Sequence, residues 1–246
     1  MKLFASGCSF TWGGGLFTHV HDYEGNLFDE TNTSLINLQR LSITWPGQLH
    51  KIGSFSEFHN HSMGCGSNNR IIRKTIDFFI DKINKKEDLS DWIAVIQWSE
   101  PSRFEFFDIL SNSWGLVKSE IVFTETRRRL SKEEEKMILS QFFWNHEKAW
   151  QEKMFNEILM LGDFFEKHDI KYFFVSMNKV ELDETKKNYC KNFVWYNNNI
   201  DECITNMSDI ETCISSPHPS ERGHQLLAEK FLNFLVRKYD VLYHRS

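Results

Sequence analysis

Proline and glycine are scarce. The 246 residues include 4 prolines and 12 glycines, about half the usual share. That disfavours a turn-dense all-β sandwich and favours long helices. Cysteine is sparse and odd in number, 5 residues at irregular spacing with no CxxC pair. Neither a disulfide scaffold nor a zinc site is expected, and a reduced, cytoplasmic chain is the default. No apolar run approaches the ~18 residues that cross a bilayer, so no membrane partner is expected. Met1 to Cys8 faintly mimics a lipoprotein cleavage site, but its apolar stretch is far shorter than the ~7–15 residues of a signal core. Positive charge is not in excess. Lys plus Arg is 29 against 34 Asp plus Glu, a net charge of −5, which argues against a nucleic-acid partner. The basic run Arg127-Arg128-Arg129 reads as a solvated face.

What is present is ring surface. Phe 22, Trp 8 and Tyr 6 supply much of the core, and 41% hydrophobic residues exclude disorder as the dominant state. Residues 2–7 read as a short buried strand running into the glycine-rich turn Cys8 to Gly15. Residues 16–44 are polar and aperiodic, a long loop or insertion. Trp45 to Ile52 suits a short helix with Pro46 in its first turn. Residues 57–62 form a weak strand. Ser67 is a good N-cap for a helix whose stripe is Ile72, Ile76, Phe79, Ile80 and Ile83. Residues 92–98 (WIAVIQW) are the clearest buried strand, and 104–125 suit a β-hairpin insertion. Ser131 and Glu134 form a capping box opening a helical tract to about His168. Its core face carries Trp150, Met154, Ile158, Leu161 and Phe165. Strands follow at 171–177 and 193–196. A last helix starts near Pro219-Ser220 and buries Leu227, Phe231, Phe234 and Leu235. Strands alternating with helices predict a parallel sheet covered on both faces. In such folds ligands sit beyond the carboxyl ends of the strands, where loops 8–15, 63–68 and 98–105 gather.

Ser9 follows a buried strand, where a nucleophile would be presented. A serine hydroxyl needs a base, and His218, held between Pro217 and Pro219, precedes a helix on a loop able to return to the strand ends. Gly64 and Gly66 stand before a helix N-terminus, where a backbone N–H can meet a developing oxyanion. They equally suit positive φ, which keeps both readings open. Cys8 reads as a small buried residue, with a thiol nucleophile as the sharper alternative. His224 reads as structural. Arg103 and Glu105, with Trp12, are the substrate-binding candidates, and a surface or hairpin ion pair is an equal reading of the two charges.

Gly7-Cys8-Ser9-Phe10-Thr11-Trp12-Gly13 resembles the first block of the SGNH/GDSL hydrolase superfamily. Asn60 to Asn69 is similar to the second block, and His218-Pro219-Ser220 with Gly223-His224 to the last. The three blocks run in order over residues 7–224. The resemblance implies a three-layer α/β/α sandwich with a mainly parallel, flavodoxin-like sheet of about five strands, with 2–7 and 92–98 central. It implies a single domain over 1–246, with insertions around 16–44 and 104–130. It also implies a serine esterase with no metal and no cofactor, acting on a small-molecule ester, a small acyl or acetyl ester that includes those on carbohydrate. Ser9 would be the nucleophile and His218 the general base. The oxyanion donors would be the N–H groups of Ser9 and Gly66, with Ser99 or Asn68.

Two positions depart from the family pattern. The third block, G-x-N-D, is here Gln97-Trp98-Ser99-Glu100, so Ser99 stands where an asparagine donor is usual. The aspartate three residues before the histidine is here Ser215. Loss of an oxyanion donor costs roughly 10²–10³ in rate, and loss of the orienting carboxylate ~10⁴ in a serine protease. A backbone carbonyl, Asp209 or Glu211 is expected to orient His218 instead. The rival expectation is a degenerate SGNH fold that binds a carbohydrate or a protein without turnover.

Overall fold

The computed structural model describes residues 1–14, 16, 41–108, 112–117, 132–133, 136, 140, 147–176, 184–189, 192–194 and 218–239. In chain order these hold β1 (Lys2–Ser6), α1 (Ser9–Trp12), α2 (Trp45–Ile52), β2 (Glu57–Asn60), α3 (Asn68–Asn84), β3 (Trp92–Trp98), β4 (Phe104–Asp108), β5 (Ser113–Val117), α4 (Glu147–Lys167), β6 (Lys171–Ser176), α5 (Glu184–Tyr189), β7 (Phe193–Val194) and α6 (Glu221–Tyr239). Five strands form one sheet in the order β2-β1-β3-β6-β7, and every pair in it is parallel. Strands 2–6 and 92–98 lie inside the sheet, as expected. The hairpin expected after residue 104 is an antiparallel pair of its own, β4 with β5.

The strand pleat sorts the core into two layers. Phe4, Trp92, Ala94, Ile96, Trp98, Tyr172 and Phe174 face one side, where they meet α3 and α4 through Ile71, Ile72, Phe79, Met154, Ile158, Leu161 and Phe165. Leu3, Ala5, Ile93, Val95, Phe173 and Val175 face the other, against Trp45 and Leu49 of α2 and Leu227, Phe231 and Leu235 of α6. Both faces of β1 and β3 are covered, which is why these strands read as continuous apolar runs rather than alternating ones.

Local chemistry sets the helix starts. Ser67 caps α3, its Oγ accepting from Arg70 N at 3.2 Å. Ser220 does the same for α6, accepting from Gly223 N at 3.1 Å, so that helix starts at Glu221. The predicted stripe on α3 needs one correction. Ile80 is 43% exposed, while Ile71 is fully buried, so the packed face is turned toward Ile71 and Phe79. Of the helical tract expected from 131, the described helix is Glu147–Lys167. Insertion 16–44 lies outside the described residues apart from 16 and 41–44. Among the described residues, no helix is long and apolar enough to cross a membrane.

Candidate active site

β1 ends at Ser6, and the chain turns at once into α1, whose first residue is Ser9. The helix lasts one turn because Gly13 adopts φ 90°, a left-handed cap that glycine takes without penalty. Gly13 N and Gly14 N then both donate to Ser9 O, at 2.9 and 2.8 Å. Gly7 is required for close approach, since a Cβ there would sit 2.1 Å from Thr11 Oγ1. The side chain of Thr11 therefore folds back over Gly7. It donates from Oγ1 to Gln97 Oε1 of the neighbouring strand at 2.6 Å.

His218 arrives from the far end of the chain. Its Nε2 stands 2.8 Å from Ser9 Oγ across 209 residues of sequence. Among the described residues, Phe10 and Gly14 pack against the imidazole. The Phe10 ring lies 4.7 Å away, centroid to centroid. Gly14 lies against the ring so closely that a Cβ there would fall 2.8 Å from Cδ2 and 2.9 Å from Nε2. Asp209, Glu211 and Ser215 lie outside the described residues.

His224, one turn into α6, has a different task. It is fully buried, and its Nδ1 accepts from Trp45 N at 3.1 Å. Thr44 makes no side-chain cap to α2, so this imidazole satisfies one of the N–H groups a helix start leaves open. Burial, helped by the nearby His218, holds its pKa down at about 3. The ring is neutral, as an acceptor facing a helix N-terminus must be.

The expected oxyanion donors are placed less simply. The Ser9 N–H makes no hydrogen bond among the described residues. The Gly66 N–H, in contrast, donates to Met63 O at 3.0 Å, which corrects its expected role as a donor to substrate. What Gly66 supplies is clearance, because a Cβ there would lie 3.2 Å from Gly7 O. In the same turn the Gly64 N–H is uncommitted among the described residues, and Gly64 rests near the Trp12 ring, where a Cβ would lie 3.5 Å from Cε3. Asn68 is clasped to the loop after β3. Its Oδ1 accepts from Ser99 N at 2.8 Å and its Nδ2 donates to Ser99 O at 3.3 Å. Both residues are buried, Ser99 completely, so Asn68 fastens one loop to another.

The substrate-binding candidates divide. Glu105 pairs with Arg73 of α3 at 3.0 Å. Burial raises its carboxyl, against the lowering pull of that arginine. The ion pair of Glu105 therefore runs to α3 and not to Arg103 on its own hairpin. Arg103 lies 3.4 Å from both Ser99 Oγ and Glu100 Oε2, at the end of β3. Trp12 is half-buried beside Gly64. Cys8 is 2% exposed, and its sulfur meets Gln97 Nε2 at 3.3 Å, so the thiol turns inward and the nucleophile alternative loses its opening to the cleft. Sequence reading missed Gly14, Phe10 and Gln97. The signal for the last was there, a lone amide in the otherwise apolar run WIAVIQW.

The family model described as "Family of unknown function (DUF6071)" matches residues 26–245. No curated protein matches the chain. Among solved structures, one similar fold is a carbohydrate esterase whose active site displays divergent catalytic and non-catalytic binding functions. Its TM-score is 0.48 at 11% identity, over 98% of this chain and 69% of that one. The lipase Lip_vut3 from a goat rumen metagenome has a TM-score of 0.43 at 12% identity, over 94% and 95% of the two chains. A protein described as a GDSL-like lipase from Bacteroides ovatus has 0.39 at 14%, over 97% and 99%.

Proposed function

The chain belongs to the DUF6071 family, and for it we propose hydrolysis of an ester by acyl transfer to Ser9. The observation that carries this reading is the 2.8 Å contact between Ser9 Oγ and His218 Nε2, within the distance expected of a nucleophile and its base. Nε2 must be unprotonated for the hydroxyl to donate to it. As Oγ attacks the ester carbonyl, its proton passes to Nε2, and the carbonyl oxygen becomes an oxyanion. The Ser9 N–H receives that charge, and Gly64 N–H is the second donor we assign. Collapse of the tetrahedral intermediate breaks the bond to the alcohol oxygen, which takes the proton from Nε2. Water then repeats the sequence on the acyl-Ser9, giving the free acid and restoring the hydroxyl. The substrate class is a small acyl or acetyl ester, including esters of sugars, the class implied by the motif resemblance.

A fluorophosphonate probe tests this directly, because it reacts with activated serines. Mass spectrometry should find the adduct on Ser9. Ser9→Ala and His218→Ala should each lower kcat on an activated ester by about 10⁴-fold or more. One observation favours the binding-module reading instead: the Asn68 amide is bonded at both ends to the backbone of Ser99, so it serves as a clasp between two loops. An unlabelled Ser9 and no hydrolysis of any ester would decide for that reading.

A further inference from the structure

Gln97 is fully buried near the end of a strand whose other six residues are apolar. A primary amide in such a place is costly unless its polar atoms are bonded. Its side-chain contacts run mostly to the nucleophile turn. Oε1 accepts from Thr11 Oγ1 at 2.6 Å and lies 3.6 Å from Cys8 Sγ. Nε2 donates to its own neighbour Trp98 O at 3.0 Å and meets Cys8 Sγ at 3.3 Å. Cys8 and Thr11 flank Ser9 on both sides. Strand register explains the meeting: Ser6 is paired with Ile96, so Gln97 stands beside Gly7, the one residue whose missing side chain lets Thr11 fold down onto it.

We propose that Gln97 is a positioning residue for Ser9. It grips the one-turn helix from below through Thr11 and Cys8, and so sets at once the direction of the Ser9 Oγ toward His218 and that of the Ser9 N–H. A helix of four residues has too few internal bonds to hold its own orientation, so the sheet supplies it. The inference rests on the proposed hydrolase reading for its kinetic consequence, but the geometry it asserts does not depend on turnover.

Substitutions at two positions separate positioning from packing. Gln97→Met keeps the volume and removes both polar ends. Thr11→Val keeps the shape and removes the hydroxyl, and Thr11→Ser restores it. Gln97→Met and Thr11→Val should each slow fluorophosphonate labelling of Ser9 and lower kcat by about 10²-fold, as an ångström of misplacement does, with KM nearly constant. Thr11→Ser should recover most of the rate. Combining the first two should cost no more than the larger single loss, because they break one bond. The second readout is the NMR titration of His218, which should shift in both variants as the Ser9 hydrogen bond loosens. If wild-type Ser9 is unlabelled, the hydrolase reading fails, and the His218 titration still decides this proposal. If wild type reacts and the variants match it in rate and in titration, Gln97 is packing alone and the proposal is overturned. Should Gln97→Met fail to fold, Thr11→Val decides the question by the same two readouts.

Discussion

The two ends of the sheet are polar in opposite ways. At the carboxyl ends of the strands, the contacts nearest Ser9 join hydroxyl, imidazole and amide groups rather than ion pairs: Ser9 with His218, Thr11 with Gln97, and Asn68 with Ser99. At the amino ends stands a lattice of charges. Lys2 reaches Glu57 at 3.0 Å and Glu87 at 3.5 Å, while Lys82 reaches Glu87 at 3.1 Å and Glu57 at 3.6 Å. Both ammonium groups sit over the Trp92 ring, at 5.1 and 5.2 Å. Burial pushes the Glu57 carboxyl upward, but the His59 and Lys2 hydrogen bonds and the nearby ammonium charges outweigh it and hold the group at about 2. The neutral end is built from short, directional contacts, and each placement there is specific. The charged end is partly solvated and tolerant, because several partners share each charge.

Acid should break this comparison at the neutral end first. Buried His224 has its pKa held at about 3 against an ordinary 6.5. Above pH 6.5 the ring is neutral in folded and unfolded chains alike, and its contribution is complete. Below 6.5 the unfolded chain gains a proton that the folded chain refuses, so stability falls as pH drops from 6.5 toward 3. The loss is on the order of 4 kcal/mol by pH 3, from ~1.4 kcal/mol per unit of difference. Glu57 is lost only lower, between about 4.5 and 2. Denaturant melts across this range should show the first fall, and His224→Asn, which keeps an acceptor for Trp45 N without a titration, should flatten it. An unchanged profile in that variant would assign the acid sensitivity elsewhere.

The next effect is on activity. Gly14→Ala drives a methyl group into the His218 ring, and a displaced base should lower kcat by about 10²-fold while circular dichroism stays that of the wild type. A fully active Gly14→Ala would mean that the turn yields and the imidazole is held from its other sides. The smallest effect belongs to the charged end. Glu57→Gln should cost less than about 1 kcal/mol, because partly exposed ion pairs are screened and shared. The difference from wild type should shrink further in high salt, and ester turnover should not change.

The same contrast governs what the sequence made legible. WIAVIQW and KLFAS announced two of the three inner strands because both faces are buried, which leaves a run of apolar residues that composition alone reveals. The strand-to-turn position of Ser9 and the prolines around His218 marked two residues that the fold does bring together. Commitments of individual hydrogen bonds were not legible. Whether Gly66 N–H turns to a ligand or to Met63 O depends on the conformation of one turn, which includes Cys65 at φ 63°, and no residue pattern encodes that choice. Glu105 needed the hairpin laid against α3 before Arg73 could be seen as its partner. Ile80 fits the helical stripe by spacing, but it is 43% exposed and Ile71 takes the buried place.

The separation of Ser9 from His218 has a consequence for the order of assembly. β1 finds β2 and β3, and β3 finds β6, within the first 176 residues, so the scaffold around Ser9 can form while His218 is still far along the chain. Joining the two closes a loop of 209 residues, and the His224 bond to Trp45 closes another of 179. Contacts this remote in sequence form slowly, because the entropy of closing the loop is lost before the contact returns anything. Refolding should therefore recover its helical signal before it recovers a reactive serine. On the proposed reading, a newly made chain would carry Ser9 without its base until α6 docks.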